Sequence, residues 1–352
     1  MQLSIVSLVF FTAKLSEWRS VRGVLAGFLA LIKRKDVAGV VAAIDAEATT
    51  PDQVSDRNFI YVISDDGPFK SVMLAVDVVS SRVFTYNRTI TGHLPYATVA
   101  LGRKIYFIGG GGNGVPSSRA VSFDCVQDTW CELPDMLHTR LDPAVRAFKG
   151  RIYVVSDFSC EVFDPNTKAW QLMVHHPPLG RHAHMEVFQN VMHLWTFRYG
   201  EHSYIFNEDT GMWEELPSYS FNRHNNTHIS SCVVDDKLFF FCKTGRAKLN
   251  WDYTNDTRSG KWWNIPGRDI KQLKISIARK QIHVEAVNVG GELWLLWVLH
   301  APTHENLFVL HRLIITRRVG PGPPYMIKSQ VTALHQSKTY LGPRARFQLV
   351  SI

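Results

Sequence analysis

Three arginines recur at nearly regular intervals along the chain, and each lies within two residues of a histidine. The arginines are Arg140, Arg181 and Arg223, which are separated by 41 and 42 residues. A guanidinium group presents its N–H donors in a planar fork that fits carboxylate or phosphate groups. The pattern therefore predicts a surface that binds a protein target such as an acidic peptide. The alternative is that each arginine pairs with an acid or a carbonyl group of a neighbouring loop. The histidines beside the arginines are His138, His182 and His224.

A second group of polar residues, His182, His184 and Glu186, occupies alternate positions. If this stretch forms a strand, the three side chains share one face. Imidazole and carboxylate groups are ligands for zinc or iron, so the trio could begin a metal site. The pattern offers no fourth ligand, and hydrogen-bonded polar residues are the favoured interpretation. We therefore predict no metal and no cofactor.

Gly109, Gly111 and Gly114 have the spacing of a dinucleotide-binding loop and follow a strand-like segment. Such a loop must open a helix whose N-terminus meets the pyrophosphate. Here Val-Pro-Ser-Ser follows at residues 115–118, and then another strand-like segment, which favours tight β-turns. The chain also lacks the Gly-x-Ser-x-Gly, Gly-Lys-Ser/Thr and His-Glu-x-x-His patterns of common catalytic sites. These observations favour a binding protein that is not an enzyme.

The elements that must position these residues repeat along the chain. In each clear unit an apolar strand-like segment is followed by a phenylalanine and, seven residues later, by a tryptophan. Trp130 and Trp170 are 40 residues apart, and Trp170 and Trp213 are 43 residues apart. A period of about 40 to 50 residues with short strands is typical of β-propeller blades. We assign structural roles in the repeat to Gly102, Tyr106, Gly109, Gly110, Phe123, Trp130, Gly150, Tyr153, Phe163, Trp170, Phe206, Trp213 and Trp262.

The spacing predicts an all-β propeller, and counting the units gives six blades of four strands. The clearest unit has its strands at residues 96–101, 104–108, 120–123 and 129–132. The first unit lacks an inner strand before Phe59, and an open ring would leave exposed sheet edges. We therefore predict that Met326–Leu334 supplies this strand and that residues 320–324 form the crossing loop. The centres of the predicted second strands are Ile60, Ile105, Ile152, Met192, Leu238 and Leu293.

The unit at residues 97–140 resembles the kelch repeat, and the whole layout resembles plant F-box/kelch-repeat proteins. Residues 3–7, Leu-Ser-Ile-Val-Ser, are similar to one part of the F-box of that family, although its opening Leu-Pro-x-Asp-x-x-Leu pattern is absent from residues 1–48. The resemblance implies a kelch-type β-propeller that binds a protein target. It also implies an F-box, here degenerate or replaced, that docks on a Skp-type adaptor. The implied role is substrate recognition in an SCF-type ubiquitin ligase, and thus in protein ubiquitination.

Four segments are predicted along the 352 residues: an N-terminal helical segment at 1–48, a linker at 49–58, the propeller at 59–316 and a basic segment at 317–352. The formal net charge is +8, but residues 306–352 alone contain seven bases and no acid. The remaining chain is therefore nearly neutral, which argues against a nucleic-acid-binding groove. Charged residues interrupt the apolar runs near the N-terminus, so no membrane span is predicted; a cleaved signal peptide is the alternative.

The cysteine content indicates the compartment. Five cysteines without a Cys-x-x-Cys pair favour reduced thiols, and therefore a protein of the cytoplasm, the nucleus or both.

Three functions are compatible with the sequence. The first is a substrate receptor of a ubiquitin ligase. The second is a kelch interaction protein without a ligase role, which could compete with intact relatives for their targets. The third is a propeller enzyme of the oxidase or isomerase kind.

Overall fold

The computed structural model describes most of the chain between Phe59 and Ser351. The chain divides into two compact units, Met1–Val54 and Ser55–Ile352. The predicted helical segment at 1–48 and the linker at 49–58 lie outside the described residues. The described residues are 59–65, 71–77, 83–86, 97–110, 115–156, 159–175, 177, 183–196, 202–216, 226–235, 237–244, 248–256, 261–263, 282–300, 306–317, 325–337 and 347–351.

The described residues form twenty-four strands. They contain no helix long and apolar enough to cross a membrane. The strands of the first half are β1 (Phe59–Asp65), β2 (Ser71–Asp77), β3 (Val83–Tyr86), β4 (Ala97–Leu101), β5 (Lys104–Ile108), β6 (Ala120–Asp124), β7 (Thr129–Glu132), β8 (Ala144–Phe148), β9 (Arg151–Ser156), β10 (Ser159–Asp164), β11 (Ala169–Leu172) and β12 (Ala183–Phe188). Those of the second half are β13 (Val191–Thr196), β14 (His202–Asn207), β15 (Met212–Leu216), β16 (Asn226–Val234), β17 (Lys237–Thr244), β18 (Lys248–Asp256), β19 (Lys261–Trp263), β20 (Ile282–Val289), β21 (Glu292–His300), β22 (Asn306–Arg317), β23 (Tyr325–Ser337) and β24 (Phe347–Ser351).

These strands build six antiparallel sheets of four strands each. Five sheets consist of consecutive strands, in the orders β4-β5-β6-β7, β8-β9-β10-β11, β12-β13-β14-β15, β16-β17-β18-β19 and β20-β21-β22-β23. The remaining sheet has the order β24-β1-β2-β3. The all-β prediction is confirmed, and four-stranded meanders of this kind are the blades of a propeller. Six sheets lie in the part of the chain that the structure describes, and the blade count of the whole chain stays a prediction.

The second strand of each sheet carries a completely buried residue. The six residues predicted as second-strand centres lie in β1, β5, β9, β13, β17 and β21. Each of them has 0% of its surface exposed. Apolar side chains at these positions pack between neighbouring sheets, which is why the interval between them is the clearest signal in the sequence.

The seven-residue spacing of phenylalanine and tryptophan produces direct neighbours across the two outer strands. Phe163 of β10 lies opposite Trp170 of β11, and their ring centroids are 4.9 Å apart. Phe123 with Trp130 and Phe206 with Trp213 form the same pair in the sheets on either side. Such aromatic pairs stabilise a sheet through contact across strands. For Trp262 the structure gives the strand position in β19, opposite Asn255 of β18.

A short polar side chain shapes each turn between these paired strands. The carboxylate of Asp124 accepts hydrogen bonds from the backbone N–H groups of Val126 and Gln127, at 3.1 and 3.0 Å. Asp164 and Asn207 occupy the same place after their phenylalanines and accept equivalent bonds. Side chains that bond to the backbone two or three residues ahead favour a turn over continued strand. Seven residues therefore suffice to reverse the chain and bring phenylalanine and tryptophan together.

Two-residue turns connect inner and second strands. Lys149 and Gly150 join β8 to β9 with backbone φ angles of 46° and 76°. Both values lie in the left-handed region, as a turn that matches the twist of a hairpin requires. Glycine adopts this conformation at no steric cost, which accounts for the glycine that precedes the second strand of this unit.

The C-terminal strand completes the first sheet, but the strand is not the one expected. β24 pairs with β1 in antiparallel register, from Ile60 opposite Ser351 to Ser64 opposite Phe347. The prediction that Met326–Leu334 supplies this strand is wrong, because these residues belong to β23 and pair with β22. Residues 318–324 accordingly connect two adjacent strands of one sheet. A C-terminal strand therefore does complete the first sheet, but it is β24 and not Met326–Leu334.

The inner strands follow one another in a closed circuit. β24 contacts β4, β4 contacts β8, β8 contacts β12, β12 contacts β16, β16 contacts β20, and β20 contacts β24. Apolar side chains fill the spaces between neighbouring sheets. One such cluster joins Tyr106 and Ile108 of β5 to Phe163 and Trp170 of the next sheet. The indole N–H of Trp170 also donates a hydrogen bond of 2.8 Å to the carbonyl oxygen of Pro134, which ties two sheets together.

Candidate partner-binding surface

The loop between β7 and β8, residues 133–143, carries the first of the three predicted binding arginines. Arg140 has 2% of its surface exposed. Its Nη1 donates to the backbone oxygen of Ser159 at 2.7 Å, and its Nη2 donates to Glu161 Oε1 at 2.7 Å. Further bonds reach the hydroxyl groups of Ser156 and Ser159. The prediction that Arg140 binds a partner is therefore corrected: its guanidinium is held inside the fold by groups of the next sheet.

Glu161 of β10 holds the backbone of the same loop in place through hydrogen bonds. Its side chain is fully buried, as is that of Arg140. Glu161 accepts hydrogen bonds from the backbone N–H of Leu137 at 2.8 Å and of His138 at 3.0 Å. The ring of His138 also approaches it, with Nδ1 3.2 Å from Oε1. A buried carboxylate needs this many partners, because removing its charge from water is costly.

The double glycine after β5 supports the other side of the loop. The backbone oxygen of Arg140 accepts hydrogen bonds from Gly110 at 3.1 Å and from Ser117 at 3.2 Å. Gly109 has a φ of 65°, and a Cβ atom built there would lie 3.2 Å from the same oxygen. A larger residue at position 109 would therefore meet both backbone strain and a close contact. Gly109 and Gly110 thus support the loop at 133–143, while Gly111 and Gly114 lie outside the described residues, so the turn interpretation of the whole motif stays a prediction.

The remaining predicted contact residues divide into two groups. The side chain of His138 is 51% exposed beside the loop, so it is accessible to a partner. Arg181, His182, Arg223 and His224 lie outside the described residues. Their role in binding a partner stays a prediction.

The acid that neutralises Arg140 is not repeated in the next sheet. Glu161 lies two residues before the paired phenylalanine Phe163, and the corresponding position before Phe206 is Tyr204. Tyr204 is buried at 4% exposure, and burial raises its phenol pKa above the ordinary value. A neutral tyrosine at this position cannot replace a carboxylate as a charge partner. The carboxylate that pairs with Arg140 therefore has no counterpart at the equivalent position of the next sheet.

A second polar group links three successive inner strands. Arg146 of β8 donates to both carboxylate oxygens of Glu186 of β12, at 3.3 and 3.1 Å. The hydroxyl of Ser231 of β16 donates to Glu186 at 2.5 Å, and His184 Nε2 lies 2.6 Å from the same hydroxyl oxygen. His184 and Glu186 are thus hydrogen-bonded polar residues, and His182, the third member of the trio, lies outside the described residues. No group of three His, Cys, Asp or Glu residues able to hold a metal occurs within the described ranges.

Interactions between charged side chains explain how Arg146 and Glu186 are accommodated inside the fold. Burial by itself lowers the pKa of Arg146, but the charge and hydrogen bonds of Glu186 raise it more, so its net pKa lies above the ordinary value. The nearby thiol of Cys232 has a pKa well above its usual range, first because of burial and then because of Glu186. Arg146 thus stays charged and Cys232 stays protonated. Neither group is a nucleophile or a base in this state.

The polar contacts extend to the next inner strand. The Ser230 hydroxyl of β16 donates to Glu285 of β20 at 2.9 Å and accepts from the backbone N–H of Ala286 at 2.8 Å. Asn288 donates to the backbone oxygen of Val233 at 2.6 Å. Side chains of neighbouring sheets thereby satisfy backbone groups on the free edges of the inner strands.

Sequence reasoning missed Arg146, Ser231 and Glu161. One signal was available for the first of these. Arg146 and Glu186 are 40 residues apart, the same interval as the second-strand centres Ile152 and Met192 of their sheets, so opposite charges occupy one position of consecutive repeats. Glu161 offered no such signal, because its interval to Arg140 matches no repeat.

His193 of β13 is held between aromatic rings. Its ring centroid lies 3.9 Å from that of Phe188 and 5.6 Å from that of Trp195, with nearly parallel planes. Burial lowers the pKa of His193 from 6.5 to about 4. The folded protein therefore keeps this imidazole neutral where an unfolded chain would protonate it.

We expect His193 to make the protein less stable in acid. As pH falls from 6.5 toward 4, only the unfolded chain takes up this proton. The stability present above pH 6.5 is lost across that window, by on the order of 3 kcal/mol from this group. In His193→Phe, urea denaturation between pH 7 and pH 4 should show a correspondingly smaller loss than in the wild type. His175→Gln is the control, because the His175 side chain is exposed; equal pH dependence in wild type and His193→Phe would contradict the expectation.

Comparison with known proteins places this geometry in a family. Three Arabidopsis thaliana proteins that carry the name F-box/kelch-repeat protein are similar to the chain. The first is 32% identical and the match covers 56% of this chain and 49% of that protein. The second is 26% identical, with coverage of 68% and 62%, and the third is 27% identical, with coverage of 62% and 60%. The chain thus spans about half to three fifths of the length of these relatives.

The family model described as FKB95, Kelch-repeats domain, matches residues 78–311. This range is more than half of the chain and contains β3 to β21 in full. It includes the paired aromatic residues, the double glycine and the loop built on Arg140 and Glu161. The chain therefore belongs to the FKB95 family of kelch-repeat domains.

Proposed function

We propose that this protein is a non-catalytic propeller that binds a protein target through the loops that enter its inner strands. One observation carries the proposal: the loop at 133–143 is fixed from inside by the buried Arg140 and Glu161, while His138 on it faces solvent. Loops that a rigid scaffold holds in place are where binding residues concentrate in proteins. A loop held in this way loses little conformational freedom when a partner binds.

The target contacts extend to the two following loops in this proposal. Arg181, His182, Arg223 and His224 would add guanidinium and imidazole groups to His138. For Arg181, Tyr204 at the position of Glu161 supports this assignment, because a neutral tyrosine cannot be its charge partner. An acidic peptide is the target that these groups would favour. Arg140 has no part in this surface.

The polar group on the inner strands favours binding over catalysis. A hydrolytic triad needs a carboxylate that orients the histidine and a histidine that takes the proton of the serine. Here Glu186 accepts the hydrogen bond of Ser231 directly and also pairs with Arg146. Ser231 itself is 6% exposed. This order of bonds stabilises contacts between strands and offers no activated nucleophile.

We further propose that the protein recognises substrates for an SCF-type ubiquitin ligase in the cytoplasm or the nucleus. The names of the similar Arabidopsis proteins contain both F-box and kelch repeat. Residues 1–48 would then contact a Skp-type adaptor, and the propeller would hold the target. The free thiols of Cys125, Cys131, Cys160 and Cys232 are compatible with a reducing compartment.

A binding measurement with a purified Skp-type adaptor tests the ligase role. We expect the full chain to bind the adaptor and a chain that lacks residues 1–48 to fail. Isothermal titration calorimetry gives the affinity, and thermal melting of both proteins shows whether the propeller stays folded. Binding that survives the truncation would place the adaptor contact elsewhere. Absence of binding by the folded full chain would reject the ligase role and leave a kelch interaction protein.

A further inference from the structure

The ring of His138 is half exposed to solvent and contacts a buried carboxylate. Its side chain is 51% exposed, whereas that of Glu161 is fully buried. Nδ1 of His138 lies 3.2 Å from Glu161 Oε1, and the backbone N–H of His138 donates to the same oxygen at 3.0 Å. One carboxylate therefore holds both the main chain and the imidazole ring of this residue.

Glu161 is ionised in this arrangement, because the permanently charged guanidinium of Arg140 is its partner. Nη2 of Arg140 donates to Oε1 at 2.7 Å, and both side chains are fully buried. An ionised carboxylate accepts hydrogen bonds but has no hydrogen to donate. The contact with the imidazole is therefore a hydrogen bond only if Nδ1 of His138 carries the hydrogen.

The same contact determines which tautomer His138 adopts. A neutral imidazole has one N–H group and one nitrogen with a free lone pair, and the hydrogen bond at one nitrogen decides where the hydrogen lies. Arg140 already balances the charge of Glu161, so the imidazole does not have to be protonated for this purpose. Among the described residues, His138 has no hydrogen-bond or ion-pair partner other than Glu161. Its Nε2 is thus an acceptor that the fold leaves open.

We propose that Nε2 of His138 accepts a hydrogen bond from an N–H or O–H group of the protein target. The proposal rests on the target-binding function proposed for the propeller and specifies the chemistry of one contact. An ionised carboxylate of an acidic target cannot take this position, because it has no hydrogen to donate. Such carboxylates would bind at Arg181 and Arg223 instead. Glu161 is a positioning residue, since it orients the ring and does not contact the target.

The tautomer can be measured on the full chain without any target. Nitrogen NMR of protein with labelled histidines distinguishes a ring nitrogen that carries hydrogen from one that does not, and the signals absent from His138→Gln belong to His138. At pH 8, where imidazole groups are commonly neutral, we expect the hydrogen on Nδ1. Exposed His175 is the control, since no carboxylate partner holds it among the described residues. Hydrogen on Nε2 of His138, alone or in an imidazolium ring, would overturn the proposal.

Two substitutions separate the acceptor at Nε2 from the inner part of the ring. The side-chain amide in His138→Gln reaches the position of Nε2, whereas that in His138→Asn reaches only the position of Nδ1. Random twelve-residue peptides are selected on the wild type after removal of those that bind His138→Asn. We expect the selected peptides to bind His138→Asn about tenfold more weakly and His138→Gln within about twofold of the wild type, by fluorescence anisotropy. Thermal melting of all three proteins shows that the fold is retained.

The binding measurement also separates this proposal from the function on which it rests. Equal losses of affinity in His138→Gln and His138→Asn would show that the ring itself makes the contact, and would reject the hydrogen bond to Nε2. If every enriched peptide binds wild type and His138→Asn alike, the propeller binds a target but His138 has no part in it. Absence of any enriched peptide on the wild type before depletion would reject the target-binding function together with the role of His138.

Discussion

Glu161→Ala is expected to lower the free energy of unfolding by about 3–5 kcal/mol, the cost of leaving a buried charge without its partner. The side chains of Glu161 and Arg140 are both fully buried, so water cannot replace the lost carboxylate. The N–H groups of Leu137 and His138 would lose their acceptor at the same time. Urea denaturation followed by tryptophan fluorescence measures the change.

Two control variants distinguish the loss of the buried ion pair from the general effect of removing an acidic side chain. Glu132→Ala breaks the exposed pair with Arg119 and should cost less than about 1 kcal/mol. Arg140→Met combined with Glu161→Leu removes both charges, and we expect it to recover much of the lost stability, since apolar replacements of a buried pair are often tolerated. A loss below about 1 kcal/mol in Glu161→Ala would mean that the pair is not buried in solution.

Removal of β24 is expected to produce the second large effect. A chain that ends at residue 346 leaves β1 without its five paired positions and opens the circuit of inner strands. At about 1 kcal/mol for each backbone hydrogen bond, the loss amounts to several kcal/mol. For a domain of this size the melting temperature should fall by roughly 10 °C or more. Differential scanning calorimetry gives the value.

Addition of the missing strand in trans provides the control for the truncation. A synthetic peptide of residues 343–352 should restore most of the melting temperature when added in excess, because binding to the folded state raises stability. A peptide with Leu349→Pro should fail, since proline cannot contribute an N–H group to the pairing with β1. An unchanged melt in the truncated protein would show that β24 does not hold the first sheet in solution.

The repeat could be predicted because its signal depends on local chemistry. Phe163 and Trp170 face each other through a turn that Asp164 sets, so seven residues contain the whole explanation. The buried residue of each second strand is equally local, since it follows from alternation of apolar side chains within five or six positions. These features located the sheets and the aromatic pairs correctly.

The errors concern contacts between distant parts of the chain. Arg140 and Glu161 are 21 residues apart and lie in different structural units, so no local pattern shows that the guanidinium turns inward. Met326–Leu334 and Phe347–Ser351 are both short apolar segments near the C-terminus, and either could pair with β1 on composition alone. The strand β22 resolves the choice, because it is long enough to pair with β23 along its whole length.

The candidate site also combines features that could be predicted from the sequence with features that could not. The loops that enter inner strands were predicted from the repeat, and the structure places the loop at 133–143 between two sheets. The sign of the charge that this loop presents could not be predicted, because it depends on which side chains are buried. Arg140 turns inward to Glu161, and the exposed ionisable side chains of the loop are Asp135, His138 and Asp142. A single buried ion pair therefore removes Arg140 from the partner contacts expected from the sequence.

The position of β24 affects how the protein folds while it is synthesised on the ribosome. β1 is synthesised before every other described strand, and its neighbour β24 is synthesised after them all. At about 5 to 20 residues per second, the first sheet waits many seconds with one edge unoccupied. During that interval the nascent chain exposes a ready template for misassembly with other strands. Translation must reach Phe347–Ser351 before this early sheet has its proper neighbour, so a stop codon just before β24 would leave β1 with an unpaired edge.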